Sequence, residues 1–166
     1  MSDERKIAEV LARYVRATDR RDGAAQAALF AEDSTTQIYN KTYPDGREFN
    51  WEPNGEPLKG PAAVKYAVEN FMAPHPARGT SHHVTADHII NVNGDTAHLS
   101  AQFVVFETRA DERPAGGWPE GARGVQGTVQ ATESGYYETD LRKIDGEWKI
   151  AHHRVLNDLP FAIPGA

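Results

Sequence analysis

The chain has 166 residues, 39% hydrophobic and 25% charged, a balance that suits one domain spanning 1–166 and excludes a mainly disordered polypeptide. Its 18 Lys and Arg against 24 Asp and Glu give a formal charge of -6, with no basic, aromatic-interleaved stretch to follow a phosphate backbone, so nucleic acid is not an expected partner. Cysteine is absent, which excludes disulfides and thiolate chemistry, and MSDERKIAEV is charged where a leader would be apolar, so no membrane partner and a cytoplasmic location are expected.

Ile7, Val10, Leu11, Tyr14, Val15 and Thr18 recur at spacings of three and four and predict an amphipathic helix over about residues 3–20. Asp22 and Gly23 then read as the start of a short second helix running through the alanine-rich stretch to Phe30. Ser34 to Tyr39 has strand composition, and Pro44 to Pro57 reads as a loop or a ragged hairpin. Gly60-Pro61 opens a third helix with Val64, Val68, Phe71 and Met72 on one stripe.

Beyond Pro76 the period changes to alternation. Strands are predicted over Ser81–Val92, Thr96–Thr108, Val125–Lys143 and Trp148–Leu156, with hairpin turns at Asn93-Gly94 and Asp145-Gly146. The proline- and glycine-containing segment Arg109–Gly124 reads as a long hairpin loop or flap. Helices followed by an antiparallel meander make an α+β domain whose three helices, all in the N-terminal half, cover one face of a curved sheet.

Asp19 breaks the pattern of the first helix. The row Ile7, Leu11, Val15, Asp19 advances by four residues each time, placing a carboxylate where an apolar side chain is expected. A solvated charge within the run Asp19, Arg20, Arg21, Asp22 is the competing explanation. Strict alternation puts His82, Val84, Ala86, His88, Ile90 and Val92 on the more apolar face of the following strand, making His82 the pocket candidate and turning His83 away. On the last strand the same rule groups Trp148, Ile150, His152 and Arg154. With Tyr39 on the first strand, His152 and Arg154 are the candidate substrate-binding residues, salt bridging to nearby acids being the alternative for the last two. No spaced histidine-carboxylate set and no glycine-rich phosphate loop is present, so neither a metal nor a nucleotide cofactor is expected.

The order of elements, together with ARYVRATDRRD, LKGPAAV, TSHHVT, VNGDTA and SGYYETDLRKIDGEWKIAHH, resembles the SnoaL-like branch of the nuclear transport factor 2-like superfamily over nearly the whole chain. The resemblance implies a cone-shaped α+β barrel with an apolar pocket between helices and sheet. Its members include dehydratases, isomerases, polyketide cyclases and binding modules, so the fold leaves the activity open. Relative to the bile-acid 7α-dehydratase and hexachlorocyclohexane dehydrochlorinase of this group, Asp19 falls on an aspartate that supports a histidine base, His82 on that base, and Tyr14 on the dehydratase-type tyrosine. Scytalone dehydratase is similar in general plan. The dehydratase's C-terminal arginine falls near Asn157, and Ile38 stands where ketosteroid isomerase has its basic aspartate, which disfavours that reaction.

The expectation is therefore a cofactor-independent lyase or isomerase acting on a small hydrophobic, oxygenated substrate, with Tyr14, Asp19 and His82 catalytic. A non-catalytic binding or assembly module is the alternative. The apolar tail Leu159–Pro164 and the exposed sheet face suggest a homotrimer or homodimer, with a tail folded over its own pocket as the competing arrangement.

Overall fold

The computed structural model describes residues 1–162. Ile163 and Pro164 of the apolar tail lie outside the described residues. Helix α1 (Asp3–Asp19) is capped by Ser2, whose hydroxyl accepts from the Arg5 N–H, and Asp3 and Glu4 complement the positive end of its dipole. It ends in a Schellman turn: the Asp22 N–H reaches the Ala17 carbonyl, the Arg21 N–H reaches that of Thr18, and Arg21 takes the left-handed conformation at φ 56°. Asp22 then caps the Ala25 N–H and starts α2 (Gly23–Ala27). Helix α3 (Gly60–Asn70) begins with proline in its first turn, where no backbone donor is lost.

The strands are β1 (Phe30–Thr42), β2 (Asn50–Pro53), β3 (Leu58–Lys59), β4 (Gly79–Asn93), β5 (Thr96–Ala110), β6 (Gly127–Ile144) and β7 (Glu147–Asn157). They form one seven-stranded sheet in the order β2-β1-β7-β6-β5-β4, with β3 also pairing β1. The sheet departs from the expected one in two respects. It is mixed, because β1 runs parallel to β7, and it is an unclosed curve, with β2 and β4 at opposite ends of the strand path. The predicted turns are present, with Gly94, Asp145 and Gly146 all at positive φ. Pro44–Pro57 contributes the short strand β2, and residues 111–126 form the long β5–β6 connection. No described helix is long and apolar enough to cross a membrane.

Ile7, Leu11 and Val15 of α1 pack on Leu99, Leu141, Trp148 and Ile150 of the sheet. The N-terminal end of α1 is also tied by polar contacts, since Asp3 accepts from Trp148 Nε1 at 3.1 Å and Lys143 Nζ at 2.9 Å. An aromatic stack continues the inner face: Phe103 on Tyr137 at 4.5 Å between centroids, and Tyr137 on His153 at 5.3 Å.

Two β-bulges set the phase of the inner face. Opposite β5, β4 shifts register between Ala86 and Ile89, around Asp87 at φ 52°, so Ser81, His83 and Thr85 face inward before the bulge and Ile90 and Val92 after it. Opposite β6, β7 shifts between Ile150 and His152, and the inward residues change from Trp148 and Ile150 to His153, Val155 and Asn157. Alternation carried unbroken through either bulge assigns the wrong face to one side of it.

His153 is fully buried, with Nδ1 2.9 Å from Thr139 Oγ1. Burial, reinforced by the neighbouring positive charges of His152 and Arg154, pushes its pKa down from the ordinary 6.5 to about 3. The unfolded chain therefore takes up a proton at this residue between pH 6.5 and about 3 that the folded chain refuses, and stability falls with pH throughout that window. Urea unfolding of the wild type should show this loss, on the order of 4 kcal/mol across the window, and His153→Phe should flatten that part of the profile.

Candidate active site

Asp19 is the last residue of α1, where the negative end of the helix dipole disfavours a carboxylate. Strand β4 compensates. The His83 backbone N–H donates to both carboxylate oxygens at 3.1 Å, Ser81 Oγ donates to Oδ1 at 3.3 Å, and His83 Nδ1 lies 2.6 Å from Oδ1. Burial alone would raise the Asp19 pKa, but the ring and backbone donors of His83 outweigh it and hold the carboxyl below its ordinary 3.8. Its own peptide carbonyl is engaged by His75 Nε2 at 2.6 Å, and Arg21 caps the Thr18 carbonyl at 2.8 Å and that of Ala73 at 3.1 Å. The C-terminus of α1 is thus fixed by side chains on both sides of Asp19.

The pairing corrects the expected one. His83 faces Asp19 and the interior, whereas His82 is exposed on the outer face of β4. The bulge at Asp87 is the reason: Ile90 and Val92, whose apolar character suggested the face of His82, lie beyond it and share the face of His83. The analogous correction applies to β7. His152 bonds Thr35 through its Nδ1, and Arg154 pairs with Asp140 at 3.0 Å, both on the outer face, while His153 is the buried member of its pair. Tyr39 also misses the cavity, since the inward residue beside it on β1 is Ile38.

Between the helices and the sheet lies a cavity of about 510 Å³. Phe30, Ile38, Leu58, Val68, Met72 and Phe103 contribute apolar wall. His83 and Ser81 reach it from β4, Glu107 from β5, Glu133 and Tyr137 from β6, Asn157 from β7, and Tyr14, Thr18 and Arg21 from the α1 end. His83 and Asp19 retain only 10% and 14% side-chain exposure, so their contact is shielded from bulk water. Tyr14 and Tyr137 are 9% and 2% exposed, yet neither hydroxyl bonds a described residue nor counts among the fully enclosed unpaired atoms, so both open on the cavity. Burial raises both phenol pKa values, with nearby Tyr14, Glu133 and Asp19 adding to the effect on Tyr137, and both stay protonated donors.

Tyr137, missed from the sequence, carried a signal: it follows Tyr136 on a strand whose inner face is apolar, and only one of two adjacent tyrosines can face inward. Asp19 carries a negative charge and can only accept, so the proton of the neutral His83 ring resides on Nδ1 and the lone pair on Nε2. Among the described residues, no group of three His, Asp or Glu side chains is arranged to hold a metal ion.

Residues 1–154 match the family described as a SnoaL-like domain. The chain belongs to the SnoaL-like family. Similar solved structures include a Mycobacterium tuberculosis protein of unknown function carrying an aspartate-to-asparagine change, with 26% identity, TM-score 0.64 and coverage of 94% of this chain and 72% of that one. A nuclear transport factor 2-like protein with a cystatin-like fold from Novosphingobium aromaticivorans has 22% identity and TM-score 0.63 over 93% of this chain and 81% of its own. A candidate scytalone dehydratase from the same organism has 18% identity and TM-score 0.61 over 99% and 94%. The last two likenesses carry the fold alone. A comparison with curated proteins finds no match. This SnoaL-like chain thus has a nuclear transport factor 2-like fold, in a family that includes polyketide cyclases and scytalone dehydratase-like enzymes.

Nitrogen-detected histidine spectra should show His83 with its proton on Nδ1 and a hydrogen-bonded signal that moves upfield in Asp19→Asn. An unchanged His83 signal in that variant would contradict the contact. The lowered Asp19 pKa also means that its clamp contributes fully above the unfolded carboxylate pKa of about 4 and is lost as pH falls through the folded value.

Proposed function

We propose that this SnoaL-like chain is a cofactor-independent lyase of the dehydratase type, or an isomerase using the same first step, on a hydrophobic oxygenated small molecule. The observation that carries this reading is the shielded contact of Asp19 with His83, a residue on the wall of an apolar cavity that Tyr14 and Tyr137 also line. His83 is the base, Asp19 its orienter, and Tyr14 and Tyr137 the donors to an oxygen that gains charge.

The proton on the carbon beside a carbonyl passes to His83 Nε2, and the C–H electron pair moves toward the carbonyl oxygen to give an enolate held by phenol hydrogen bonds. Asp19 stabilises the imidazolium across its 2.6 Å contact. The enolate pair then returns to form the carbon-carbon double bond as the C–O bond at the β position breaks. The leaving hydroxide takes the proton from His83, departs as water and restores the neutral ring. Returning that proton to a different carbon instead gives the isomerase outcome.

Substrate turnover should be abolished by His83→Ala and reduced by about 10³–10⁴ in Asp19→Asn, which keeps the shape and removes the charge. His82→Ala should retain wild-type rate. The assay is loss of water, read by mass spectrometry, over a panel of β-hydroxy carbonyl aromatics and polycycles. A wild-type rate in His83→Ala rejects the mechanism.

Assembly belongs to the same proposal. The outer face of the sheet leaves Val84 and Val129 exposed at 50% and 68%, a surface suited to a second copy of the chain in a homodimer or homotrimer. The tail supports a local role, since Phe161 lines the cavity of its own chain and is held by Asn40 and Asn54. Light scattering should therefore give an oligomer that survives truncation after Asp158 and that Val84→Lys and Val129→Lys dissociate.

A further inference from the structure

Asn157 is 6% exposed and lines the cavity, yet its side-chain amide hydrogen-bonds to no described residue. Neither amide atom is among the fully enclosed unpaired atoms, so the amide keeps an accessible edge on a residue that lines the cavity. A buried amide left without a partner costs about 1–3 kcal/mol, a loss that a ligand group or water in the cavity offsets.

The backbone carrying this amide is fixed. Asn157 ends β7, in register with Gly135 of β6 and Asn40 of β1. The next residue is anchored three times: the Asp158 N–H donates to the Ser134 carbonyl at 2.9 Å, and its carboxylate binds Lys41 at 2.6 Å and Ser134 Oγ at 2.8 Å. The backbone under the amide is preorganised, so binding to it has only the side-chain torsions of Asn157 left to order.

The charges around the cavity narrow what the amide can receive. Its described lining contains three carboxylates, Glu56, Glu107 and Glu133, but a single guanidinium, Arg21, whose Nε and Nη1 donate to the Ala73 and Thr18 carbonyls. A carboxylate or phosphate would enter a lining in which three carboxylates outnumber one guanidinium. An uncharged carbonyl or hydroxyl oxygen meets the Asn157 amide without that repulsion.

We propose that Asn157 is a specificity-determining residue that binds an uncharged oxygen function of the ligand, remote from the bond the Asp19–His83 pair acts on, and that the site discriminates against anions. This rests on the cavity being the substrate site, as read above, but not on the reaction assigned to it.

Three naphthalene probes of nearly equal shape test the assignment by equilibrium dialysis with the full chain: 2-acetylnaphthalene, its isopropenyl isostere in which CH₂ replaces the oxygen, and 2-naphthoate. Wild-type protein should bind the ketone about tenfold more tightly than the alkene, and naphthoate more weakly than the ketone. Asn157→Leu should bring ketone and alkene to equal affinity, and the equal-sized Asn157→Asp should weaken the ketone while keeping the fold by circular dichroism. A wild-type ketone-to-alkene ratio in both variants, a preference for naphthoate, or failure of the wild type to bind any of the three overturns the assignment. His83→Ala should leave the ratio intact, since its Nε2 carries a lone pair and donates nothing to a carbonyl. Loss of the ratio in Tyr14→Phe or Tyr137→Phe, with retention in the Asn157 variants, would place carbonyl recognition at the phenols and overturn this inference while leaving the reaction standing. Absence of turnover in the wild type with the ratio intact would do the reverse.

Discussion

The contact between the Asp19 carboxylate and strand β4 is the constraint that shapes the rest of the molecule. A carboxylate in the last turn of a helix opposes the helix dipole, so it persists there because the His83 ring, the His83 N–H and the Ser81 hydroxyl supply several donors together. The contact ties the C-terminus of α1 to a strand that has a hydrogen-bonded neighbour on one side only. With Asp3 anchoring the other end to Lys143 and Trp148, α1 is fixed at both termini, and the space between helix and sheet stays open instead of collapsing. The same hydrogen bonds that hold the architecture orient the imidazole, so structural and chemical demands fall on one carboxylate.

Much of this was legible in the sequence because the signals were local. The row ending in Asp19 showed a carboxylate in a buried register, Gly60-Pro61 marked the third helix, and the Asn93-Gly94 and Asp145-Gly146 turns fixed the hairpins. The phase of the two histidine strands was not local. Whether a bulge forms depends on packing across neighbouring strands, and nothing around Ala151 announces one. At β4 a clue existed: Asp87 is a poor strand former that tolerates positive φ, and it stands between the two halves whose faces differ. The parallel pairing of β1 with β7 likewise depends on residues more than a hundred positions apart. Phe161 reaches the cavity through contacts with Asn40 and Asn54, an arrangement the sequence offered only as the alternative to docking on a second subunit.

The cavity is costly in ways that locate its use. Two phenols, an imidazole and an amide are withdrawn from water with few or no protein partners, whereas Ile7, Leu99 and Ile150 nearby are packed to near-complete burial. Burial keeps the two phenols of the lining protonated and, in the core beside them, His153 neutral, so the aromatic layer brings no charge into the interior. The acidic groups Glu107 and Glu133 join the lining from neighbouring strands, and the single arginine is turned to carbonyl groups of its own chain. The resulting field is negative, yet the walls are apolar, a combination that separates ligands by charge before shape is tested.

The paired histidines give the bulges an evolutionary consequence. A single-residue deletion at either bulge reverses which side chains beyond it face inward, and for most strands that would exchange core for surface. Where two histidines are adjacent, whichever phase the strand adopts still presents an imidazole to the interior, His83 or His82 on β4 and His153 or His152 on β7. Insertions and deletions in these strands can therefore move the ring by one position without deleting it, leaving a lineage free to explore new pocket shapes while the imidazole endures.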